Sequence, residues 1–279
     1  MDKIIKYSYY PLSILIFSIL AAFLYIQISQ YAAILIIALL CLIQHSVFER
    51  LLTHKKIWNI KQGDYIADLI HTNLLFPVVN LLTQIILLVL ISSFSLTEFI
   101  SNVFVEFLFF LLLCELVYYV YHRLVHTKRK LWLFHAIHHG SKRIYLMNSA
   151  RFHPVDSFLS SAIYFIPLIL LGASETTLFA LATLNLITGY LEHCNVDYKA
   201  GKLNYIFNSA NLHRWHHNKD KHCNFGKILS IWDIAFGTFY LPKDDVVDTA
   251  VLEIGLKNDP DVPNHLFGQW SYPFRNWNK

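Results

Sequence analysis

Apolar residues dominate the first 120 positions and come in four runs, each about as long as a bilayer-spanning helix. The first extends from Tyr9 to Ile28, preceded by Lys3 and Lys6, and the second from Ala32 to Phe48, followed by Arg50, Lys55, Lys56 and Lys61. The third reaches from Leu69 to about Phe94 and the fourth from about Val103 to Val120. A basic flank before an apolar run resembles a secretory leader. Here no small-residue cleavage site follows and a second run begins at once, so an uncleaved anchor is expected. The links Gln27–Gln30 and Ser95–Ser101 carry no Lys or Arg. By the positive-inside rule, the N-terminus and the Arg50–Lys61 loop are therefore expected on the cytoplasmic side. The fourth run then ends on that same side, where Arg123, Lys128, Arg129, Lys130, Lys142, Arg143 and Arg151 also gather.

A fifth apolar stretch, Phe158–Tyr190, is broken at Pro167 and at Gly172-Ala-Ser-Glu175. Each half is short for a full crossing, so two short helices going in and coming back are expected. Beyond Leu191 the chain is polar and aromatic, and the tail Asp244–Lys279 contains Pro260, Pro263 and Pro273. The pattern predicts an all-α integral membrane protein: about four transmembrane helices, a short helical hairpin and a cytoplasmic helical cap. Residues 1–98 would form the N-terminal transmembrane part and 99–279 a second part, with both termini cytoplasmic.

Composition agrees with that reading. The 279 residues are 55% hydrophobic and only 15% charged, against about 25% charged in soluble domains, and mean hydropathy is +0.42. A net charge of +4 is too small and diffuse to point to nucleic acid. Cys41, Cys114, Cys194 and Cys223 have no CxxC spacing, which argues against a disulfide framework or a zinc ribbon.

The candidate chemistry lies in histidines at repeated spacings. His122 and His126 are separated by four, His135, His138 and His139 form HxxHH, and His213, His216 and His217 repeat it. On helices, such spacings place imidazoles on one face a turn apart, and imidazole is the commonest transition-metal ligand. Surface histidines at the membrane interface would leave the triple repetition unexplained. A structural zinc would close with four ligands, often including Cys. No HExxH supplies a protease base and no CxxCH attaches haem. Eight imidazoles suffice for two metals with an open position on each. A two-metal, histidine-only site beside a bilayer points to iron and dioxygen, because attack on an unactivated C–H bond needs a stronger oxidant than any side chain. From another class, a metal-binding or metal-transport protein without oxygen chemistry would place ligands along a midplane path, whereas these cluster at one face.

Glu115-x-x-Tyr118-x-x-x-His122-Arg123-x-x-His126, His135-x-x-His138-His139 and Arg151-x-His153-Pro154 together resemble the fatty acid hydroxylase superfamily, which includes sterol desaturases. So do Glu192-His193-x-Asn195-Val196, His213-Arg-Trp-His216-His217, Asn224-Phe225-Gly226, Trp232-Asp233 and Phe236-Gly237-Thr238. The resemblance extends roughly from Phe99 to Phe274; most of the fourth run and everything before it match in hydropathy alone. It implies a non-haem enzyme with two iron ions (Fe2+/Fe3+) that hydroxylates or desaturates a membrane lipid, using O2 and electrons from a separate reductase, ferredoxin or cytochrome. It also implies His122, His126, His135, His138, His139, His213, His216 and His217 as ligands, with His193 as a further one. His153 would lie behind the ligands or line the substrate site. His222 and His265 are expected in solvated loops, and His45, His54 and His71 as hydrogen-bonded interface histidines.

Metal-bound imidazoles usually pass their other N–H to a carboxylate or carbonyl. Glu115, two turns before His122 on one helix face, Glu192 and Asp233 are the candidates for that role. Arg123, Arg151 and Arg214 are candidates for meeting an electron donor or a lipid headgroup. Trp132, Phe134, Trp215 and Trp232 suit an interfacial belt.

Overall fold

A computed structural model describes residues 2–91, 100–242 and 253–278. The predicted link Ser95–Ser101, the end of the third run near Phe94, the domain boundary at 98/99 and the start of the tail at Asp244 fall wholly or partly outside the described residues. Among those described, the chain is helical, with only isolated β-bridges. Four helices are long and apolar enough to cross a membrane: α1 (Asp2–Gln27), α2 (Gln30–Leu51), α3 (Tyr65–Ile91) and α4 (Val103–Thr127). Their outer faces expose Leu15, Ile19, Leu35, Leu39, Leu82 and Val89. In water such a belt would drive aggregation; in lipid it costs nothing, and the protein is an integral membrane protein.

Helix ends are fixed locally. The Ser29 hydroxyl accepts from the Ala32 N–H at the start of α2, and the Asn102 side chain accepts from the Phe104 and Val105 N–H groups at the start of α4. One turn of α3, His71–Leu75, is wound as a π-helix. There His71 Nε2 meets Gln269 Oε1 at 2.9 Å and the Thr72 hydroxyl donates to the Met147 carbonyl, so side-chain partners hold the widened turn.

The fifth apolar stretch forms α6 (Pro154–Leu170) and α7 (Glu175–His193), two helices as expected. They are joined by the short turn 171–174 and share a buried cluster with α4. Helix α6 packs mainly against α3 and α4, and α7 against α1, α2 and α4. Glu106 of α4 fixes the arrangement by accepting from the Ser174 N–H and the Ser174 and Thr177 hydroxyls at the α7 N-terminus.

Three short helices, α5 (Arg129–His139), α8 (Ala210–His216) and α9 (Ile231–Ala235), gather with α10 (Leu266–Arg275) around the C-terminal end of α4. The buried core divides accordingly. One cluster joins α1, α2 and α7 through Tyr10, Phe17, Ile37 and Ile187. A second joins α4, α6 and α7 through Phe110, Tyr118, Tyr164 and Leu181. The polar cap sits at one end of this frame.

Candidate metal centre

The histidines sort into two groups by simple helical geometry. Neighbours on a helix point about 100° apart, so the adjacent pairs His138/His139 and His216/His217 cannot share a pocket. His139, with His135 one turn earlier on α5, joins His122 and His126 from the last turns of α4 and His216 from α8. His217, with His213 one turn earlier on α8, joins His138 and His193, the last residue of α7. Within each group the candidate ligand atoms all lie within 4.8 Å of one another. The groups share a wall: the rings of His139 and His217 stack at 4.3 Å.

In the five-histidine group, outward nitrogens are held by acceptors. His122 Nδ1 donates to the Phe225 carbonyl at 2.8 Å, His135 Nδ1 to Asp156 Oδ2 at 2.8 Å, and His216 Nδ1 to the Cys223 carbonyl at 2.9 Å. A neutral imidazole has one N–H, so these bonds leave Nε2 as a bare lone pair aimed inward. His122 Nε2 and His135 Nε2 face each other at 3.2 Å with no proton for either to offer. The Nε2 atoms of His126, His139 and His216 are buried without a partner among the described residues. Converging lone pairs repel unless a cation lies between them, so this donor set fits a metal ion.

The four-histidine group repeats the pattern only at His193, whereas His138 Nδ1 and His213 Nδ1 have no hydrogen-bond partner among the described residues. His193 Nδ1 donates to the Gly189 carbonyl, and its Nε2 lies 3.2 Å from His138 Nε2 and 3.0 Å from His213 Nε2. His217 Nε2 is 3.0 Å from His213 Nε2. Phe152 stacks on His138 at 4.3 Å, an apolar lid over that ring. Burial, reinforced by neighbouring imidazoles, holds His138, His139, His213 and His217 well below the usual histidine pKa, and burial pushes His216 down to about 3. All of these rings are therefore neutral at pH 7, the form that binds metal.

The supporting residues differ from the expectation. Glu115 touches no histidine. Its Oε2 accepts from the Ile228 and Leu229 N–H groups, pinning the 226–229 loop to α4. Asp233 accepts from the Phe225 and Gly226 N–H groups and the Thr238 hydroxyl, so it holds the strand of chain whose Phe225 carbonyl orients His122. Glu192 Oε2 lies 3.8 Å from His213 Nδ1, an electrostatic neighbour beyond hydrogen-bond reach. His153 lies outside both groups, because its Nδ1 caps α6 through the Val155 N–H and its Nε2 donates to the Trp270 carbonyl. Arg151 and Arg214 are not available to a partner. Arg151 is buried beside Asp64 and Asp68, and Arg214 donates to the Cys194 and Val196 carbonyls. Arg123 is exposed, and with His126, Thr127, His222, Phe225 and Thr238 it lines a cleft of about 330 Å³ that opens onto the five-histidine group. His222 and His265 are exposed as expected; His45 and His71 are fully buried, paired to Tyr9 and Gln269. Trp132 donates to Asp259 and its ring lies 5.1 Å from that of His126, so it walls the site as well.

Sequence reasoning passed over Asp156, the carboxylate that does hold a histidine. Its place in the first turn after Pro154 reads as an ordinary helix-start residue, and only the fold brings it to His135.

Comparison with known proteins agrees with the geometry. The fatty acid hydroxylase family model matches residues 107–238. The chain is 34% identical over 211 residues to ornithine lipid hydroxylase of Rhizobium tropici, covering 71% of this chain and 64% of that protein. It is 34% identical over 145 residues to alkylglycerol monooxygenase of Danio rerio, covering 50% of this chain and 32% of the relative. Methylsterol monooxygenase 1 of Rattus norvegicus is 29% identical over 123 residues, 43% of this chain and 42% of the relative. The chain thus spans about two thirds of the first of these relatives and about a third of the second. No solved structure matches.

Proposed function

Through residues 107–238 the chain belongs to the fatty acid hydroxylase family, and on that premise we propose that it is a membrane-bound non-haem iron oxygenase acting on a lipid C–H bond. The observation that carries this reading is the pair of histidine groups with converging ring nitrogens, four of whose rings, His122, His135, His216 and His193, are oriented by outward acceptors. We assign one iron to His122, His126, His135, His139 and His216, and the other to His138, His193, His213 and His217. When bound, the irons supply the oxidising power for O2-dependent cleavage of an unactivated C–H bond, which side chains lack.

The protein's own residues supply position and exclusion. Asp156 and the carbonyls of Phe225 and Cys223 fix ring orientation and tautomer. Phe152, Trp132 and Phe225 exclude water from the imidazoles. The apolar cluster among α4, α6 and α7 is the side from which an acyl or alkyl chain would approach, and the cleft at Arg123 and His222 is the face nearest an electron donor. Hydroxylation consumes O2, two electrons and two protons and yields an alcohol and water. The relatives' names are hydroxylase and monooxygenase, which favours this outcome over desaturation. With no flavin or haem motif in the sequence, a separate reductase, ferredoxin or cytochrome provides the electrons. The basic loops orient the histidine groups and both termini toward the cytoplasm, and residues 99–279 form the catalytic part.

The test is metal analysis of anaerobically purified protein with oxygen uptake on adding reductant and lipid extract. One iron per histidine group and lipid-dependent uptake are expected. Stoichiometric zinc, or iron without uptake, overturns the oxygenase reading in favour of a metal-binding or transport role.

A further inference from the structure

A half-buried cation lies against the core shared by α4, α6 and α7 and makes no hydrogen bond among the described residues. Lys227 follows Gly226 in the loop pinned by Glu115, and its Nζ lies over two aromatic faces, 4.7 Å from the centroids of both Tyr118 and Tyr164. Among the described residues, no carboxylate lies within ion-pair distance of it and it makes no hydrogen bond. The fold does not need a cation there: the loop is already held by Glu115 and Asp233. Tyr164 is fully buried, and its hydroxyl has no partner; one turn earlier on α6, the Ser161 hydroxyl is also buried and unpartnered. Buried donors are normally satisfied. Here two buried hydroxyls one turn apart on α6, and a half-buried ammonium over the Tyr164 ring, meet no acceptor among the described residues.

Their position is informative. Tyr118 precedes His122 by one turn of α4, and its ring is 5.6 Å from that of His122 and 6.4 Å from that of Tyr164. Tyr118 thus neighbours both the ammonium and His122 of the five-histidine group, and Phe110, Leu168 and Leu181 belong to the same apolar cluster. Burial disfavours the charge on Lys227, while Glu115 and Glu192 sustain it from beyond ion-pair distance.

We propose that Lys227, with the Tyr164 hydroxyl, is a clamp for the anionic oxygens of a lipid carboxylate or phosphate. The proposal rests on the oxygenase reading for its consequence, which is that the oxidised carbon lies close to the polar end of the substrate and not far along the tail.

The test is ligand displacement on the full-length protein in nanodiscs, comparing oleate, oleyl phosphate and methyl oleate, with iron measured on the same preparations. The wild type is expected to bind at least one of the two anions about ten-fold more tightly than the uncharged ester, a preference of the size a charged hydrogen bond supplies. Whichever anion binds more tightly identifies the oxygen group. Lys227→Met is expected to abolish that preference with iron content unchanged, and Lys227→Arg to keep most of it. Equal binding of all three ligands by the wild type overturns the clamp, even if the Met variant does not fold. Undiminished preference in a folded Lys227→Met protein overturns it too. Anion preference in a protein devoid of iron would refute the oxygenase reading while leaving the clamp intact.

Discussion

Replacing Asp156 with Ala tests whether the outer carboxylate controls one metal position. Asp156 Oδ2 accepts the His135 Nδ1–H at 2.8 Å and its Oδ1 accepts the Tyr121 hydroxyl at 3.0 Å, all within a buried environment. Removing it strands two buried donors and frees the His135 ring to rotate or change tautomer. A charge-assisted bond of this kind contributes about 1.5–3 kcal/mol, and loss of an outer partner typically lowers metal affinity by about 10- to 100-fold, equivalent to roughly 1.4–2.7 kcal/mol. Because Asp156 touches only the five-histidine group, the loss should be confined to one metal. The assay is anaerobic chelator competition with metals counted per chain. The wild type should release its metals in a high range of chelator concentration, and Asp156→Ala should release one of them at about 10- to 100-fold less chelator. Asp156→Asn keeps a carbonyl acceptor and should fall between the two. Tyr121→Phe removes only the second bond and should cost about 1 kcal/mol of stability with metal affinity nearly intact. If Asp156→Ala releases both metals together, the residue acts through the fold; if it releases neither earlier, the assignment is wrong.

Removing ligands themselves should be selective as well: His216→Ala should abolish the metal of the five-histidine group and His138→Ala that of the other, and either should eliminate lipid-dependent oxygen uptake. Gly226→Ala should prevent stable folding or metal loading, because a Cβ there would run into the Leu229 carbonyl oxygen and press on Asp233 Oδ2; full expression with normal metal content would refute this. Acidification should destabilise the metal-free protein, because the unfolded chain takes up protons below about pH 6.5 while burial keeps folded His216 neutral down to about 3 and holds its neighbours low. Stability is thus complete above about pH 6.5 and lost as pH falls from there toward 3, measurable as a falling thermal midpoint; a flat profile would refute it.

What was legible in the sequence follows a physical division. The spans could be read because a bilayer demands length and apolarity from each segment by itself, and α1 to α4 satisfy that demand independently of their neighbours. The histidines could be read because helical spacing is local: four-residue steps stack rings, and an adjacent pair must diverge. That divergence is also why each HxxHH contributes one of its adjacent histidines to each of the two groups. The two helices of the hairpin were legible in Pro167 and the Gly172–Glu175 break, but the way they dock on α4 was not, because it depends on Glu106 reaching Ser174 across sixty-eight residues of chain. The outer acceptors were least legible, since three of them, at Phe225, Cys223 and Gly189, are backbone carbonyls, available from any residue type. Glu115 and Asp156 make the same point in opposite directions. Glu115 occupies the right helix face and turns away to a loop, while Asp156 looks like a helix-start carboxylate and turns inward to His135. A carboxylate's role is set by which donors the fold leaves nearest to it. The same rule singles out Lys227, where the fold leaves donors together and supplies no acceptor.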